Sequence, residues 1–163
     1  MKIEIRNTRI NLSVSQETIN FSAYLFVDGI KVAICENGGY GGSTLISSSD
    51  EKTQRYVNEA EEYCKTLPSV KAFGTDLPMD LELFVDLLVE KEVKEKRRKS
   101  FEKKIMNATF KSVVYGVKGS GSFRMAGYPG KPLHELSPEL LKSLVDGVKK
   151  KLKPGETIFN TNI

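Results

Sequence analysis

Histidine is nearly absent from this chain. His134 is the only one, so any Ser-His or Cys-His catalytic pair would have to use it, and no G-x-S-x-G nucleophile elbow is present. Cysteine is scarce too: Cys35 and Cys64 are the only two, and with one histidine and no close spacing they cannot supply a structural zinc set. No apolar run approaches the roughly 20 residues that a membrane helix requires. The opening MKIEIRNTRI has no apolar stretch of the secretory type. The expected location is therefore a cytoplasm, where a disulfide does not persist and both cysteines are expected as buried free thiols. Carboxylates give no nuclease-like cluster: Asp28 is accounted for by a turn, and Asp80, Glu82 and Asp86 fall on the polar face of a helix. These absences point to no catalytic residue, no metal and no cofactor, and to a binding protein before an enzyme.

What is present describes an ordinary globular chain. Its 163 residues, 39% hydrophobic and 28% charged, are expected to form one domain over 1–163 with its own core. The first third alternates like antiparallel strands. TRINLSV places Ile10, Leu12 and Val14 on one face, and TINFSAYLFV does the same with Ile19, Phe21, Ala23, Leu25 and Val27. Asp28-Gly29 reads as a tight hairpin turn, followed by IKVAI with Ile30, Val32 and Ile34 inward. In that register Val27 opposes Ile30, Leu25 opposes Val32 and Ala23 opposes Ile34. Ile3 and Ile5 are out of phase with Ile10, which calls for a bulge near Asn7-Thr8.

Tyr56, Val57, Ala60, Tyr63, Cys64 and Leu67 recur at helical spacing behind a Ser49 or Asp50 cap. A second helix begins near Met79, carries Leu81, Phe84, Val85 and Leu88 inward, and continues to about Ile105 as a half-exposed rod. ATFKSVVYGV and SFRMAG read as strands around the turn KGSGS. SPELLKSLVDGVKKKL reads as a third helix, with Ser137 as cap and Pro138 in its first turn, and TIFN as a last short strand. Strands grouped apart from helices predict an α+β fold, a mainly antiparallel sheet with three helices packed on it.

Three features carry the functional argument. The loop Asn37, Gly38, Gly39, Tyr40, Gly41, Gly42, Ser43 and Thr44 is too rich in glycine to be ordered cheaply. It matches neither a P-loop, which needs a lysine after its last glycine, nor the G-x-G-x-x-G fingerprint, since Thr44 stands at its last position. The expectation is a loop of exposed amides that binds phosphate, with Tyr40 held outward to stack a base, and with Gly39 or Gly41 at positive φ. Replacing both by alanine is expected to leave folding nearly intact. The plain alternative is a mobile connection. A second glycine-rich loop over 117–132 adds Lys118, Arg124, Tyr128 and Lys131, and the two loops would form one basic pocket if they met. The third feature is charge. Residues 50–90 hold ten acids against four bases, whereas 91–104 hold eight bases against three acids. Lys96, Arg97, Arg98 and Lys99 are candidate phosphate contacts. The alternative is a solvated helix face in which Glu92, Glu95 and Glu102 pair with neighbouring bases four residues away.

The stretch FSAYLFVDGIKVAICENGGYGGST, with AEEYCKTLP and LPMDLELFVDLLVE after it, resembles a family of small uncharacterised accessory proteins of tailed bacteriophages. The likeness covers roughly residues 1–90. Tyr40 departs from the histidine found near that place in many members. The resemblance implies a viral protein acting in the bacterial host cytoplasm, of a kind that counters host defence. Together these readings describe a non-enzymatic protein that binds a nucleotide or nucleic acid. The alternatives are an inhibitor or adaptor that meets a host protein through the charged helix 91–104, and a nuclease or phosphodiesterase. No membrane partner is expected, and a homo-oligomer is compatible with the chain.

Overall fold

A computed structural model describes residues 1–72, 74–161 and 163. The fold is α+β, with three α-helices and antiparallel sheets. The sheets are three rather than one, and the chain divides into two compact units, Met1–Lys94 and Glu95–Ile163.

In the first unit the alternating segments become β1 (Ile3–Ile10), β2 (Phe21–Val27), β3 (Ile30–Asn37) and β4 (Leu45–Ser47), in the order β1-β2-β3-β4 and all antiparallel. The bulge expected near Asn7-Thr8 is there: the β1/β2 register shifts between Arg6 and Arg9, and Asn7 takes φ 55°. It brings Ile5 opposite Leu25 and Ile10 opposite Phe21 on the same face. The Asp28-Gly29 turn has φ 49° and 84°, the double positive φ of a type I′ hairpin, and Val27 opposes Ile30.

Two expectations about these strands are corrected. TRINLSV is not a strand throughout, since β1 ends at Ile10 and Leu12 and Val14 are exposed. The register after Ile30 also slips. A second bulge in β3 sets Leu25 opposite Ala33 and Ala23 opposite Cys35. One extra residue reverses the phase, so Val32, Ala33 and Cys35 are buried while Ile30 and Ile34 face outward.

α1 (Glu51–Lys65) starts at Asp50, whose carboxylate accepts from the Thr53 N–H while Thr53 Oγ1 accepts from the Asp50 N–H. Its Val57, Ala60 and Cys64 are buried. A short hairpin, β5 (Val70–Ala72) and β6 (Thr75–Leu77), precedes α2 (Leu81–Thr109). Leu81, Val85 and Val89, four residues apart, enter the same core as Leu25, Val27 and Cys35. Withdrawing each such large side chain from water contributes about 1.5–3 kcal/mol. The apolar face of the sheet is thus covered by α1 and the start of α2. The opposite face carries Ser22, Tyr24 and Phe26 half-buried and Arg6, Lys31 and Ile34 exposed.

In the second unit α2 ends at Thr109, so residues 108 and 109, expected as strand, are helical. β7 (Val113–Val117) lies between β8 (Arg124–Ala126) and β9 (Glu156–Ile158). The Asn160 amide donates to the Thr109 and Ser112 carbonyls and accepts from the Val114 N–H, clamping the end of α2 to β7. α3 (Pro138–Lys149) is capped by Ser137 and supplies Leu141, Leu144, Val145 and Val148 to a core with Val113, Tyr115 and Leu133. Leu140 is exposed. Among the described residues no helix is long and apolar enough to cross a membrane.

Candidate functional site

The glycine loop joins β3 to β4, and Asn37 organises it. Its buried amide oxygen accepts from the Gly39 N–H at 2.8 Å and from Thr18 Oγ1 at 2.8 Å, and its NH₂ donates to Gly42 O at 3.0 Å and Thr44 Oγ1 at 3.1 Å. Every donor and two acceptor positions of the side chain are used. The Gly41 N–H donates to Thr18 Oγ1, and the Gly39 carbonyl accepts from the Gln16 N–H at 2.8 Å. Thr44, also buried, donates its N–H to Glu82 at 3.0 Å and its hydroxyl to Asp86 at 2.6 Å.

This geometry answers why the glycines are there. Gly39 and Gly41 both take positive φ, 86° and 89°. A Cβ at 39 would stand 2.9 Å from the Asn20 Cβ and 3.2 Å from the Val14 carbonyl oxygen. The loop is folded tightly onto segment 11–20. Of the amides expected to form a cradle, the N–H groups of Gly39, Gly41 and Thr44 are bonded within the protein. Tyr40 does stand outward, 67% exposed, with Gly41, Gly42 and Ser43 exposed beside it.

The charge around the loop is negative. The Glu17 carboxylate lies against Gly41, and Glu82 and Asp86 hold Thr44. Burial pushes the Asp86 carboxyl above its ordinary value. The Thr44 hydroxyl works against that shift, and Glu82, Glu90 and Asp80 reinforce it. An anion approaching from this side meets the carboxylates of Glu17, Glu82 and Asp86. On the other side of the loop, Arg9, Asn11, Asn20, Ser22, Glu36 and Gly38 line a groove of about 510 Å³.

The second loop lies in the other unit. Arg124 pairs with Glu156 and stacks its guanidinium 4.6 Å from the Tyr115 ring centroid, so its charge is answered within the sheet. The Lys153 N–H and Arg124 hold the Glu156 carboxyl below its ordinary value. Tyr128 and Lys131 come together by a β-bridge, and with Lys111, Ser112, Gly130 and Pro132 they line a depression of about 450 Å³. Lys118 is exposed in the turn after β7.

On α2 the acids pair in part as their spacing predicts, Glu102 with Arg98 four residues away. Glu92 accepts from Thr8 Oγ1, and Arg98 takes both Glu95 and Glu102, at 3.0 and 2.6 Å. One arginine thereby absorbs two carboxylates. Lys96, Arg97, Lys99, Lys103 and Lys104 have no ion-pair partner among the described residues. At 100° per residue these five fall within an arc of about 160° on the helix.

His134 sits exposed in a 3₁₀ turn (Leu133–Glu135), 3.8 Å from Glu135. Burial pushes the Cys35 thiol up to about 12, with Asp86 adding to the shift, and the Cys64 thiol up to about 11, with Glu61 and Asp80 adding. Neither is a nucleophile at neutral pH. Among the described residues no group of three or more His, Cys, Asp or Glu could hold a metal ion.

Sequence reasoning passed over the outer face of the four-stranded sheet. Register places Arg6 beside Tyr24 and Ile34, and Glu4 beside Phe26 and Lys31. The Arg6 guanidinium lies 4.3 Å from the Phe26 ring centroid, and the Lys31 ammonium 3.5 Å from that of Tyr24. The signal was available: in FSAYLFV the alternation that buries Phe21, Ala23, Leu25 and Val27 sends Tyr24 and Phe26 to the opposite face. No protein-family model matches the chain, and no curated protein or solved structure shows significant similarity to it.

Proposed function

We propose that this protein is a non-enzymatic binder of nucleic acid. The observation that carries the reading is the set of five cations on one arc of α2 that no carboxylate neutralises. Ion-paired lysines and arginines on a helix gain little by leaving their partners for a phosphate. Unpaired ones displace counterions from the nucleic acid backbone and gain salt-dependent affinity. The glycine loop contributes less to anion binding than its composition promised, because three of its N–H groups are bonded within the protein and its surroundings are acidic; Tyr40 remains as an exposed ring. Acting on nucleic acid in a bacterial host, as the likeness to phage accessory proteins implies, accords with a role against host defence.

The experiment is a salt titration of binding to labelled single-stranded and duplex DNA and RNA. Affinity should fall steeply with salt, and Lys96→Gln, Arg97→Gln and Lys99→Gln together should flatten the slope by about two to three units. No binding at low salt removes this reading. A host protein retained by the parent and lost by the triple variant would favour the adaptor alternative.

A further inference from the structure

We propose that the outer face of the four-stranded sheet is a stacking platform for single-stranded nucleic acid, with bases on Tyr24 and Phe26 and phosphates at Arg6, Arg9 and Lys31. This surface belongs to the first unit, and the five cations of α2 belong to the second. It goes beyond nucleic-acid binding in general by naming the strand state and the residues that select it.

Three observations converge. First, Tyr24 and Phe26 are two residues apart on β2 and face outward, about 6.6 Å apart along the strand. They are flanked by exposed Ile34, a flat apolar neighbour on β3. A sheet whose second face needed only solvent would carry polar residues at these places. Second, cations are placed over the rings. Lys31 and Arg9 have no ion-pair partner among the described residues, and Arg6 shares Glu4 with Lys2. An incoming base takes the ring face, or stacks on the Arg6 guanidinium plane, and the displaced ammonium of Lys31 turns to the neighbouring phosphate. Third, the face runs into the groove of about 510 Å³, lined by Arg9, Ser22 and Glu36. That groove extends the track along the row Arg9, Ser22, Glu36.

The occupant is a single strand rather than a duplex. In a duplex the bases are stacked on each other at about 3.4 Å and offer no free faces to a ring. Rings about twice that distance apart can take consecutive bases only from an unstacked, extended strand. A stacking platform is also tolerant of sequence, because every base has a π-face.

The test uses the full chain with a fluorescein-labelled 15-nucleotide oligothymidine, the matching oligouridine, and a 15-base-pair duplex. The chain holds six tyrosines and no tryptophan, so tyrosine emission is not masked, and the quenching lost in a Tyr24 variant is the part that reports stacking on this face. The parent should bind the single strands more tightly than the duplex and show quenching. Tyr24→Ala with Phe26→Ala should weaken single-strand binding about tenfold or more and abolish most of the quenching. Tyr24→Phe with Phe26→Tyr should bind as the parent does. Arg9→Gln with Lys31→Gln, which leaves the rings in place, should flatten the salt slope by about one to two units. That variant decides the matter if the double alanine variant does not fold. Equal affinity for duplex and single strand overturns the proposal. So does undiminished binding by both the ring and the charge variants, or self-association through this face without oligonucleotide binding. The α2 triple variant separates this from the wider reading. If it is silent while the sheet variants lose binding, the platform stands and the α2 site falls.

Discussion

Gly39→Ala tests whether the glycine loop is a packed element or a free connection. Alanine at φ 86° sits in the left-handed region, at a cost of about 1–2 kcal/mol. Its Cβ would stand 2.9 Å from the Asn20 Cβ and 3.2 Å from the Asn20 nitrogen, so the loop must move off segment 11–20. That movement stretches two hydrogen bonds of 2.8 Å, from the Gly39 N–H to Asn37 and from the Gln16 N–H to the Gly39 carbonyl. Each contributes about 0.5–1.5 kcal/mol net. With partial loss of both, the total is about 2–4 kcal/mol. At a urea dependence of about 2 kcal/mol per molar this lowers the midpoint by about 1–2 M. The assay is urea titration read by hydrogen exchange in peptides of β2 and β3, which isolates the first unit. Gly42→Ala is the control: nothing lies within 4 Å of its Cβ and its φ is not positive, so its effect should stay within about 0.5 kcal/mol. Coincident midpoints for the two variants would refute the argument. The sequence-based expectation that alanines at 39 and 41 leave folding intact is replaced by this one.

Asn37→Ala should cost about 2–4 kcal/mol by the same assay, because it strands partners at Thr18, Gly39, Gly42 and Thr44 in a buried place; a loss under about 1 kcal/mol would mean the loop holds itself. Gly29→Val should destabilise by more than about 1 kcal/mol, since φ 84° excludes a β-branched residue, and a neutral result in thermal melts would count against the turn. Asp86 has a folded pKa above its ordinary value of 3.8, so the folded state holds its proton longer. Its contribution to stability is fully present below that value and declines as pH rises through the raised one. Asp86→Asn, which still accepts from Thr44, should therefore gain on the parent between pH 4 and pH 7 in urea midpoints; a constant difference would dismiss the shift. Both thiols should resist a neutral disulfide reagent at pH 8 in the native chain and react fully in denaturant, and fast native labelling of either would place it at the surface.

Local chemistry was readable where one residue decides one angle or one cap. Asp28-Gly29 specifies a hairpin because only a few residues accept two positive φ values, and Ser137 with Pro138 starts α3 because the orphan N–H groups there need an acceptor or no donor at all. The phase conflict between Ile5 and Ile10 even located the first bulge. The second bulge, in β3, left no such mark. IKVAI alternates cleanly, and only packing against α1 and α2 chose Val32, Ala33 and Cys35 over Ile30 and Ile34 for the core. Arg98 illustrates the same divide on α2: spacing permitted several ion pairs, but which acid each base meets depends on side-chain reach and on Thr8, distant in sequence, taking Glu92. The glycine loop was legible as unusual and as requiring positive φ. That the Gly41 and Thr44 N–H groups and the Thr44 hydroxyl are taken was decided by Thr18, Glu82 and Asp86, residues that only the folded chain brings to the loop, because hydrogen bonding reads proximity in space rather than order along the sequence.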